Sequence, residues 1–393
     1  MADKSAIEWT DATWNPVVGC TIVSPGCTHC YAMGMAARIE AMTAALQAKG
    51  QTGAPHYNGT TRKVNGNTVW TGKLAMAPNH IVLEPLTWRT PRRIFVNSMG
   101  DLFHEDVPDD WIDQVFAVMA LAPQHTFQVL TKRAKRMREY LTDPAVVRRV
   151  YKLVCEMTVE LELFVALIAA REHEQKAPPA PRIYLDLWPL PNVWLGVSAE
   201  RQQEADERVP SLLFAPAAVR FISAEPLLGE INFRRISLGI SAGTFIDHPE
   251  IREAEFTIDA LTGAPRSGIP GLDLIIAGGE SGPKARPMHP DAPRKIREDC
   301  AATGKAFFFK QWGAWGRAAP RPSGTPGKFA FANAGPHSDF WPAMVTPIDH
   351  YPRMIDLFGG STVLEYVGKK AAGRLLDGVE HNAMPELPEV PAL

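Results

Sequence analysis

The sequence lacks the features of a membrane or secreted protein. Its longest apolar stretch, around residues 161–170, is too short to span a bilayer, and Glu160 and Glu162 stand at its start. The N-terminal residues contain no apolar core of the signal-peptide type. These absences predict a soluble, cytoplasmic protein that has no membrane partner.

An excess of charge of one sign is also missing. The chain has 41 lysines and arginines and 43 aspartates and glutamates, which leaves a formal net charge of −2. No overall positive field therefore favours a nucleic acid as partner, and only local patches can serve that role. The sequence also shows no internal repeat, P-loop, Rossmann fingerprint or HExxH segment. The common motifs of phosphate binding, dinucleotide binding and zinc proteolysis are thus absent.

Cysteine is scarce, yet three of the five cysteines fall within one short stretch. Cys20, Cys27 and Cys30 are spaced C-x6-C-x2-C in a loop that contains glycine and proline. The two-residue spacing lets Cys27 and Cys30 bind one metal centre. The six residues between Cys20 and Cys27 are enough to bring the sulfur of Cys20 to the same centre. On a 4Fe–4S cluster, three protein ligands leave one iron free to bind a small molecule. The spacing therefore favours a cluster.

Two other interpretations of these cysteines stay open. The first is a zinc ion, with His29 or a distant histidine as the fourth ligand. His29 is poorly placed for that role because it lies between two of the ligands. In the second, the cysteines are buried as small apolar side chains, which is common for free cysteine. Cys155 and Cys300 lie in helical patterns, and we interpret both as structural.

Short apolar strands alternate with helix-length segments along the chain, which is the pattern of parallel βα units. The predicted strands are residues 93–98, 127–130, 193–198, 220–224, 274–277 and 306–309. Each strand is followed, at once or nearly so, by an ionisable residue. These residues are Asp101, Lys132, Glu200, Glu225, Glu280 and Lys310. In a (β/α) barrel the carboxyl ends of the strands form the active-site face, so we expect these strand ends to share one mouth. We expect four of the side chains to line one cleft facing the cysteine loop, namely Asp101, Lys132, Glu225 and Glu280.

The cysteine loop resembles that of a known enzyme group. Asn-Pro-x-x-Gly-Cys at residues 15–20 and Cys-x-x-Cys-Tyr-Ala at 27–32 are similar to the cluster loop of the spore photoproduct lyase branch of radical S-adenosylmethionine (SAM) enzymes. The usual spacing there is C-x3-C-x2-C, so this loop is longer, and His29 stands where an aromatic residue commonly precedes the last cysteine. In blocks over most of its length, the chain also resembles an uncharacterised, phage-associated family of three-cysteine proteins. That resemblance includes the C-x6-C-x2-C loop, Gly-Gly-Glu-Ser-Gly at 278–282 and Phe-Lys-Gln-Trp-Gly at 309–313.

The resemblance implies a partial (β/α) barrel of radical SAM type that binds a 4Fe–4S cluster through Cys20, Cys27 and Cys30. It also implies that SAM is cleaved reductively to a 5′-deoxyadenosyl radical, which abstracts hydrogen from a substrate. The implied substrate is a nucleic acid or nucleotide, and the implied electron donor is a flavodoxin or ferredoxin. The rival function is a non-enzymatic, metal-stapled, phage-associated module that binds nucleic acid or a partner protein.

Five residues near strand ends are the predicted contacts of the cofactor SAM. Lys132 matches a Thr-Lys at a strand end in the lyase branch and would pair with the SAM carboxylate. Ser98 and Asp101 stand where the resemblance puts contacts to the SAM amino group. Glu225 and Glu280 follow later strands, and Glu280 would accept hydrogen bonds from ribose or amine donors. No residue is assigned a catalytic role from the sequence.

The predicted architecture is α/β, with the barrel over residues 1–315 and a C-terminal extension over 316–393. Loop and helical insertions are expected at about 50–80, 150–190 and 235–270. The extension is rich in proline and glycine, so we expect irregular structure that covers or flanks the barrel.

Two further patches bear on the partner. Residues 132–138 carry five cations, a pattern typical of either a phosphate-binding surface or a solvated helix face. Residues 309–315 combine a lysine, an amide and two indoles, which suits either stacking on a base or closing the barrel with apolar bulk.

Overall fold

The computed structural model describes residues 5, 7–171, 188–242, 253–319, 326–332, 348–350 and 362–386. These residues form a mixed α/β fold on a seven-stranded parallel sheet that curls into a half-barrel. The strands lie in the sheet in the order in which they occur along the chain. They are β1 Ala12–Trp14, β2 Arg93–Val96, β3 Thr126–Thr131, β4 Val193–Ser198, β5 Val219–Ala224, β6 Leu274–Gly278 and β7 Ala306–Gln311.

Helices connect most of the neighbouring strands. The longer ones in the described residues are α1 Tyr31–Gln47, α2 Asp109–Leu121, α3 Ala134–Thr142, α4 Pro144–Arg171, α5 Gln202–Leu213 and α6 Asp291–Thr303. Single turns occur at Asn79–Val82, Lys369–Ala372, Pro25–Cys27, Pro55–Tyr57, Glu84–Thr87 and Pro265–Ser267. Within the same residues, no helix is both long enough and apolar enough to cross a bilayer.

Side chains that alternate along the strands divide the core into two layers. On the convex face, strand residues such as Ile94, Val129 and Leu195 pack against the helices in the largest apolar cluster. The concave face carries a smaller cluster, which gathers large side chains from β2, β4, β5, β6 and β7 around one tryptophan. Its buried members are Trp9, Phe95, Trp194, Val219, Phe221, Leu274, Ile276 and Phe308.

Trp9 fills the concave side of the half-barrel. Its indole lies 4.8 Å from the ring of Phe95 and 6.2 Å from the ring of Phe221, between centroids. The ring of Phe221 in turn lies over Gly196 of β4, where an added methyl group would collide with it. Aromatic bulk therefore closes the lower half of the concave face, and within the described residues a cavity opens towards the carboxyl ends of the strands.

The six strands predicted from the sequence are confirmed, each within two residues of its predicted bounds. The sequence patterns missed β1, because its three residues stand beside the cysteine loop and lack a strand-length apolar run. The helical patterns predicted around Cys155 and Cys300 are confirmed, since these residues lie in α4 and α6. The apolar residues of 109–121 recur at helical spacing, at Ile112, Val115, Phe116 and Met119, which is typical of the helix that the structure shows there.

Antiparallel strands form the remaining sheets. Thr61–Val64 and Asn67–Trp70 make a hairpin whose turn residues Asn65 and Gly66 have φ of 49° and 75°. These positive angles fit a type I′ turn, for which Asn-Gly is a favoured pair. The other two-stranded sheets pair Val17–Val18 with Ala75–Met76, and Ile236–Ala242 with Glu253–Ile258.

The C-terminal extension contains more regular structure than its composition predicts. Four strands form an antiparallel sheet in the order Trp315–Arg317, Thr362–Tyr366, Pro326–Ala332 and Ile348–His350. Proline and glycine hid these strands, since both residues usually interrupt a strand pattern. Residues 320–325, 333–347, 351–361 and 387–393 of the extension lie outside the described residues. Residues 172–187 of the predicted second insertion do so as well, and the predictions made for these segments stay predictions.

Candidate metal and cofactor site

The cysteine loop lies across the carboxyl ends of the parallel strands. The backbone N–H of Gly19, directly before Cys20, donates to the carbonyl of Met99, which follows β2, over 3.2 Å. Further along, the hydroxyl of Ser24 donates to Glu200, which follows β4, over 2.8 Å. The carbonyl of Pro25 accepts a hydrogen bond from Arg286, beyond β6, over 3.0 Å. Segments from three separate strand ends thus hold the loop.

A cavity of about 250 Å³ opens between this loop and the strand ends. Cys20, Cys27 and Cys30 line it. So do all five residues predicted to contact SAM, namely Ser98, Asp101, Lys132, Glu225 and Glu280. The structure therefore brings the eight predicted site residues around one space, while their roles as ligands stay predictions.

Several polar residues that the sequence patterns did not single out also line this cavity. They are Asn97, Ser198 and Ser223, and Gln311 of the predicted 309–315 patch lines the cavity with them. Asn97 has φ of 59°, a left-handed backbone conformation that asparagine tolerates better than most residues. Its side-chain Nδ2 and the Oε1 of Gln311 are buried and have no hydrogen-bond partner in the part of the chain that the structure describes. A positive φ is not visible in a sequence, and so no pattern predicts Asn97.

All five cysteines are free thiols. Within the described residues, no group of three or more histidine, cysteine, aspartate or glutamate side chains is arranged to hold a metal ion. The chemistry of the donor set nevertheless fits a cluster, because three unpaired thiols from one loop line one cavity. Ligation by Cys20, Cys27 and Cys30 remains a prediction.

The electrostatic surroundings of the three thiols differ. Burial raises the pKa of Cys20 to about 12, the carboxylate of Asp101 adds to this effect, and the guanidinium of Arg133 opposes it. Burial also raises the pKa of Cys30, against the amide groups at the start of α1 and the ammonium of Lys132. A metal or cluster at these sulfurs would have to displace the protons, as every thiolate ligand requires.

Asp101 organises the segment after β3 rather than facing a ligand. Its carboxylate accepts hydrogen bonds from the backbone N–H groups of Phe103 and Lys132, the hydroxyl of Thr131 and the guanidinium of Arg133, over 2.6 to 3.1 Å. A carboxylate has about four acceptor sites, so these four donors use them all. The predicted contact of Asp101 with a SAM amino group therefore has no free lone pair here.

Glu280 is saturated in the same way. The backbone N–H of Arg286 donates to it over 2.7 Å, and the guanidinium donates twice more, over 2.8 and 2.5 Å. The ring of His29 lies 3.2 Å away, between Nδ1 and Oε2. Burial alone would raise the pKa of Glu280, but the hydrogen bonds from Arg286 hold it below its ordinary value. Glu280 thus clamps the cysteine loop to the end of β6.

Gly279, directly before Glu280, lies against the segment that follows β7. An added methyl group at Gly279 would collide with the backbone of Trp312. The close approach that glycine permits here is thus between two strand ends of this chain and involves no cofactor. Trp312 itself packs on Phe309, with ring centroids 5.1 Å apart, and its indole donates to the carbonyl of Leu375 over 2.8 Å.

Glu200 is the most enclosed charge of the site, with no exposed side-chain surface. Its carboxylate accepts from Ser24, Lys132 and Arg208, which come from three different elements. Burial alone would raise its pKa, but the charges of Lys132 and Arg208 hold it below its ordinary value. In the sequence, Glu200 is marked only by its position after a predicted strand. The predicted SAM contacts do not include it.

Three of the predicted contacts keep hydrogen-bonding capacity for a ligand. The ammonium of Lys132 has three N–H donors, of which Glu200 takes one. The hydroxyl of Ser98 donates to Asn15 over 3.0 Å, and its oxygen is left as an acceptor. The carboxylate of Glu225 lies 3.0 Å from Lys310 and 3.2 Å from the hydroxyl of Ser223, so about two of its acceptor sites remain.

The basic run at 132–138 is neither a simple phosphate surface nor a fully solvated face. Arg133 is buried and bonds Asp101, and Arg136 pairs with Asp109. Lys135 lies 3.9 Å from Glu139, one turn further along α3. Acidic partners in the same region therefore offset most of the positive charge of this run.

The chain was compared with known families, curated proteins and solved structures. One family model, described as "Protein of unknown function (DUF5131)", matches residues 4–385. No curated protein and no solved structure gives a significant match. Because the family match covers nearly the whole sequence, the chain belongs to the DUF5131 family.

Proposed function

We propose that this protein is an iron–sulfur protein of radical SAM type that acts on a nucleic acid or nucleotide. One observation carries the proposal: three free thiols and the carboxyl ends of parallel strands line the same cavity. Sites of α/β barrels lie at those strand ends, where side chains from several strands converge. In this proposal Cys20, Cys27 and Cys30 hold a 4Fe–4S cluster, which would supply the electron that cleaves SAM.

The residues of the chain would bind and orient SAM beside the cysteines. Lys132 would donate its two remaining N–H groups to the SAM carboxylate while its third stays with Glu200. Ser98 would accept a hydrogen bond from the amino group, in place of the saturated Asp101. Glu225 offers acceptor sites for ribose hydroxyls on the far side of the cavity. The closed concave face below, filled by Trp9, would keep bulk water from that side.

The experiment that tests this assignment compares Lys132 with Lys135, which lies three residues further along the chain. SAM affinity is measured by calorimetry on anaerobically reconstituted protein, and 5′-deoxyadenosine is measured by chromatography after reduction with dithionite. Lys132→Met should weaken SAM binding by tenfold or more, since a buried carboxylate that loses its cation costs several kcal/mol. Lys135→Met, on the exposed face of α3, should leave both quantities unchanged.

Two outcomes would reject the proposal. Wild-type protein that holds a full cluster but neither binds nor cleaves SAM would leave a cluster of structural purpose. Protein that holds zinc instead of iron would favour the rival, a metal-stapled module that binds nucleic acid or a partner protein. Equal effects of Lys132→Met and Lys135→Met would remove the specific role of Lys132.

A further inference from the structure

The hairpin beside the cysteine loop belongs to a stretch without acidic residues. Between Glu40 and Glu84 the sequence contains no aspartate or glutamate, and it carries four cations there. They are Lys49, Arg62, Lys63 and Lys73. All four are exposed, and none forms an ion pair within the described residues. In a chain whose charges nearly balance overall, this stretch is a local positive surface.

This positive surface lies at the rim of the cavity. Trp70, the last residue of the hairpin, is buried and lines the cavity with the cysteines. It packs in one apolar cluster with Tyr57, Val18 and the first turns of α1, against Cys20 and Cys30. The hairpin is therefore anchored on the cysteine loop, and its charged end projects from there.

A fifth cation joins the hairpin from the other side. Lys284 lies in the loop after β6 and donates to the side-chain oxygen of Asn67 over 2.9 Å. The segment from Ser281 to Pro290 contains no acidic residue either. The Asn67–Lys284 bond thus connects the hairpin with the segment that follows Glu280, and it extends the positive surface along the rim.

We infer that this surface, formed by Arg62, Lys63, Lys73 and Lys284, binds the phosphate backbone of a nucleic acid beside the cavity. The inference names the contact surface for the substrate class of the proposed function and so rests on it in part. The hairpin thus replaces residues 132–138 as the candidate phosphate-binding surface, because ion pairs within the protein offset the charge of residues 132–138.

The composition of the hairpin favours phosphate over an acidic protein as partner. Protein interfaces have apolar or aromatic centres, and the hairpin exposes only one large apolar side chain, Val64, within the described residues. Threonine, asparagine and glycine make up most of the rest, and their hydroxyl, amide and backbone N–H groups are common phosphate donors. Two-stranded ribbons are also an established way to contact nucleic acids.

The test is the salt dependence of oligonucleotide binding by the full-length protein. Fluorescence anisotropy with a labelled single-stranded DNA and a labelled duplex gives the affinity at several salt concentrations, without SAM or reductant. The hairpin variant is Arg62→Gln/Lys63→Gln/Lys284→Gln. The control, Lys135→Gln/Arg138→Gln/Lys152→Gln, removes the same charge from α3 and α4. Matched thermal unfolding and iron content show that both variants fold.

The hairpin variant should bind the oligonucleotides more weakly. The decrease of log affinity with log salt concentration should become shallower, by about 2 to 3 in slope. The control should keep the slope of the wild type. Equal losses in both variants, or an unchanged hairpin variant, would overturn the inference. Wild-type protein that binds neither oligonucleotide but binds an acidic ferredoxin through the hairpin would overturn it too. Because the measurement needs no SAM cleavage, its failure is distinct from failure of the radical SAM proposal.

Discussion

The guanidinium of Arg133 donates a hydrogen bond to the sulfur of Cys20 over 3.4 Å. The same group bonds the carboxylate of Asp101 over 3.1 Å and both oxygens of Thr21, over 3.2 and 2.7 Å. Only 3% of its side chain is exposed. Arg133 therefore ties the first cysteine of the loop to the end of β3, and it places a permanent positive charge beside that sulfur.

Replacing Arg133 should destabilise the protein strongly. Arg133→Met leaves the buried Asp101 without its cation, and breaking a buried ion pair from one side typically costs about 3–5 kcal/mol. The free energy of unfolding in urea measures the loss. Lys135→Met removes an exposed pair on the next helix and should change stability by less than about 1 kcal/mol. A small effect at Arg133, equal to that at Lys135, would contradict the structural role assigned to this arginine.

The concave face gives a second prediction. Gly196→Ala adds a methyl group where the ring of Phe221 lies, and overpacking of this kind costs about 1–3 kcal/mol. Gly34 provides the matched control, because it lies in α1 with nothing near its missing side chain. Gly34→Ala should stabilise the protein by roughly 0.5–1 kcal/mol through helix propensity. Urea unfolding of both variants measures these changes, and opposite signs are the expected result.

If Gly196→Ala were neutral, Phe221 would not lie against β4. The packing of aromatic side chains below the cavity would then need revision, and with it the closed lower half of the concave face.

The C-terminal segment is fastened to α6 by an ion pair that depends on pH. Asp377 lies 2.7 Å from Arg294 and 2.8 Å from Arg297, and the hydrogen bonds from Arg294 lower its pKa below the ordinary 3.8. A lowered pKa contributes stability above the ordinary value, and this contribution is lost as the pH falls through the lowered value. Because the carboxylate is partly exposed, the contribution is at most about 1 kcal/mol.

Asp377→Asn should therefore reduce the free energy of unfolding at pH 7, and its difference from the wild type should shrink below pH 3.8. Asparagine suits this test because it also tolerates the φ of 54° at this position. Glu380→Gln is the control, since its oxygen lies 3.8 Å from Arg374. If the difference in free energy of unfolding stays constant from pH 7 to pH 3, the destabilisation by Asp377→Asn does not come from loss of the carboxylate charge.

Apolar pattern was sufficient to predict the strands that build the sheet. Three to six buried residues in a row, as in Leu274–Gly278, leave few alternatives to a central parallel strand. The convergence of Lys132, Glu225 and the cysteines on one cavity follows from the same rule, because parallel strands end at one edge. The pattern could not predict β1, whose strand character depends on pairing with β2, 82 positions further along the chain.

The hydrogen-bonding state of each site residue was beyond sequence reasoning. Asp101, Glu200 and Glu280 look alike as acidic residues after strands. Asp101 and Glu280 use all their acceptor sites within the protein, and Glu200 is buried beneath the loop. Which carboxylate meets a ligand depends on the donors that the fold brings to it, such as Arg208 and Ser24 at Glu200 and Arg286 at Glu280. Those donors carry no motif that marks them in advance.

The most direct test of the central claim is the metal content of the three-cysteine site. After anaerobic reconstitution, iron, sulfide and zinc are measured on the wild type and on five cysteine variants. The account predicts about four iron and four sulfide per chain. It predicts that these are lost in Cys20→Ala, Cys27→Ala and Cys30→Ala and kept in Cys155→Ala and Cys300→Ala. Stoichiometric zinc without iron, or iron that survives removal of any of the three cysteines, would contradict it.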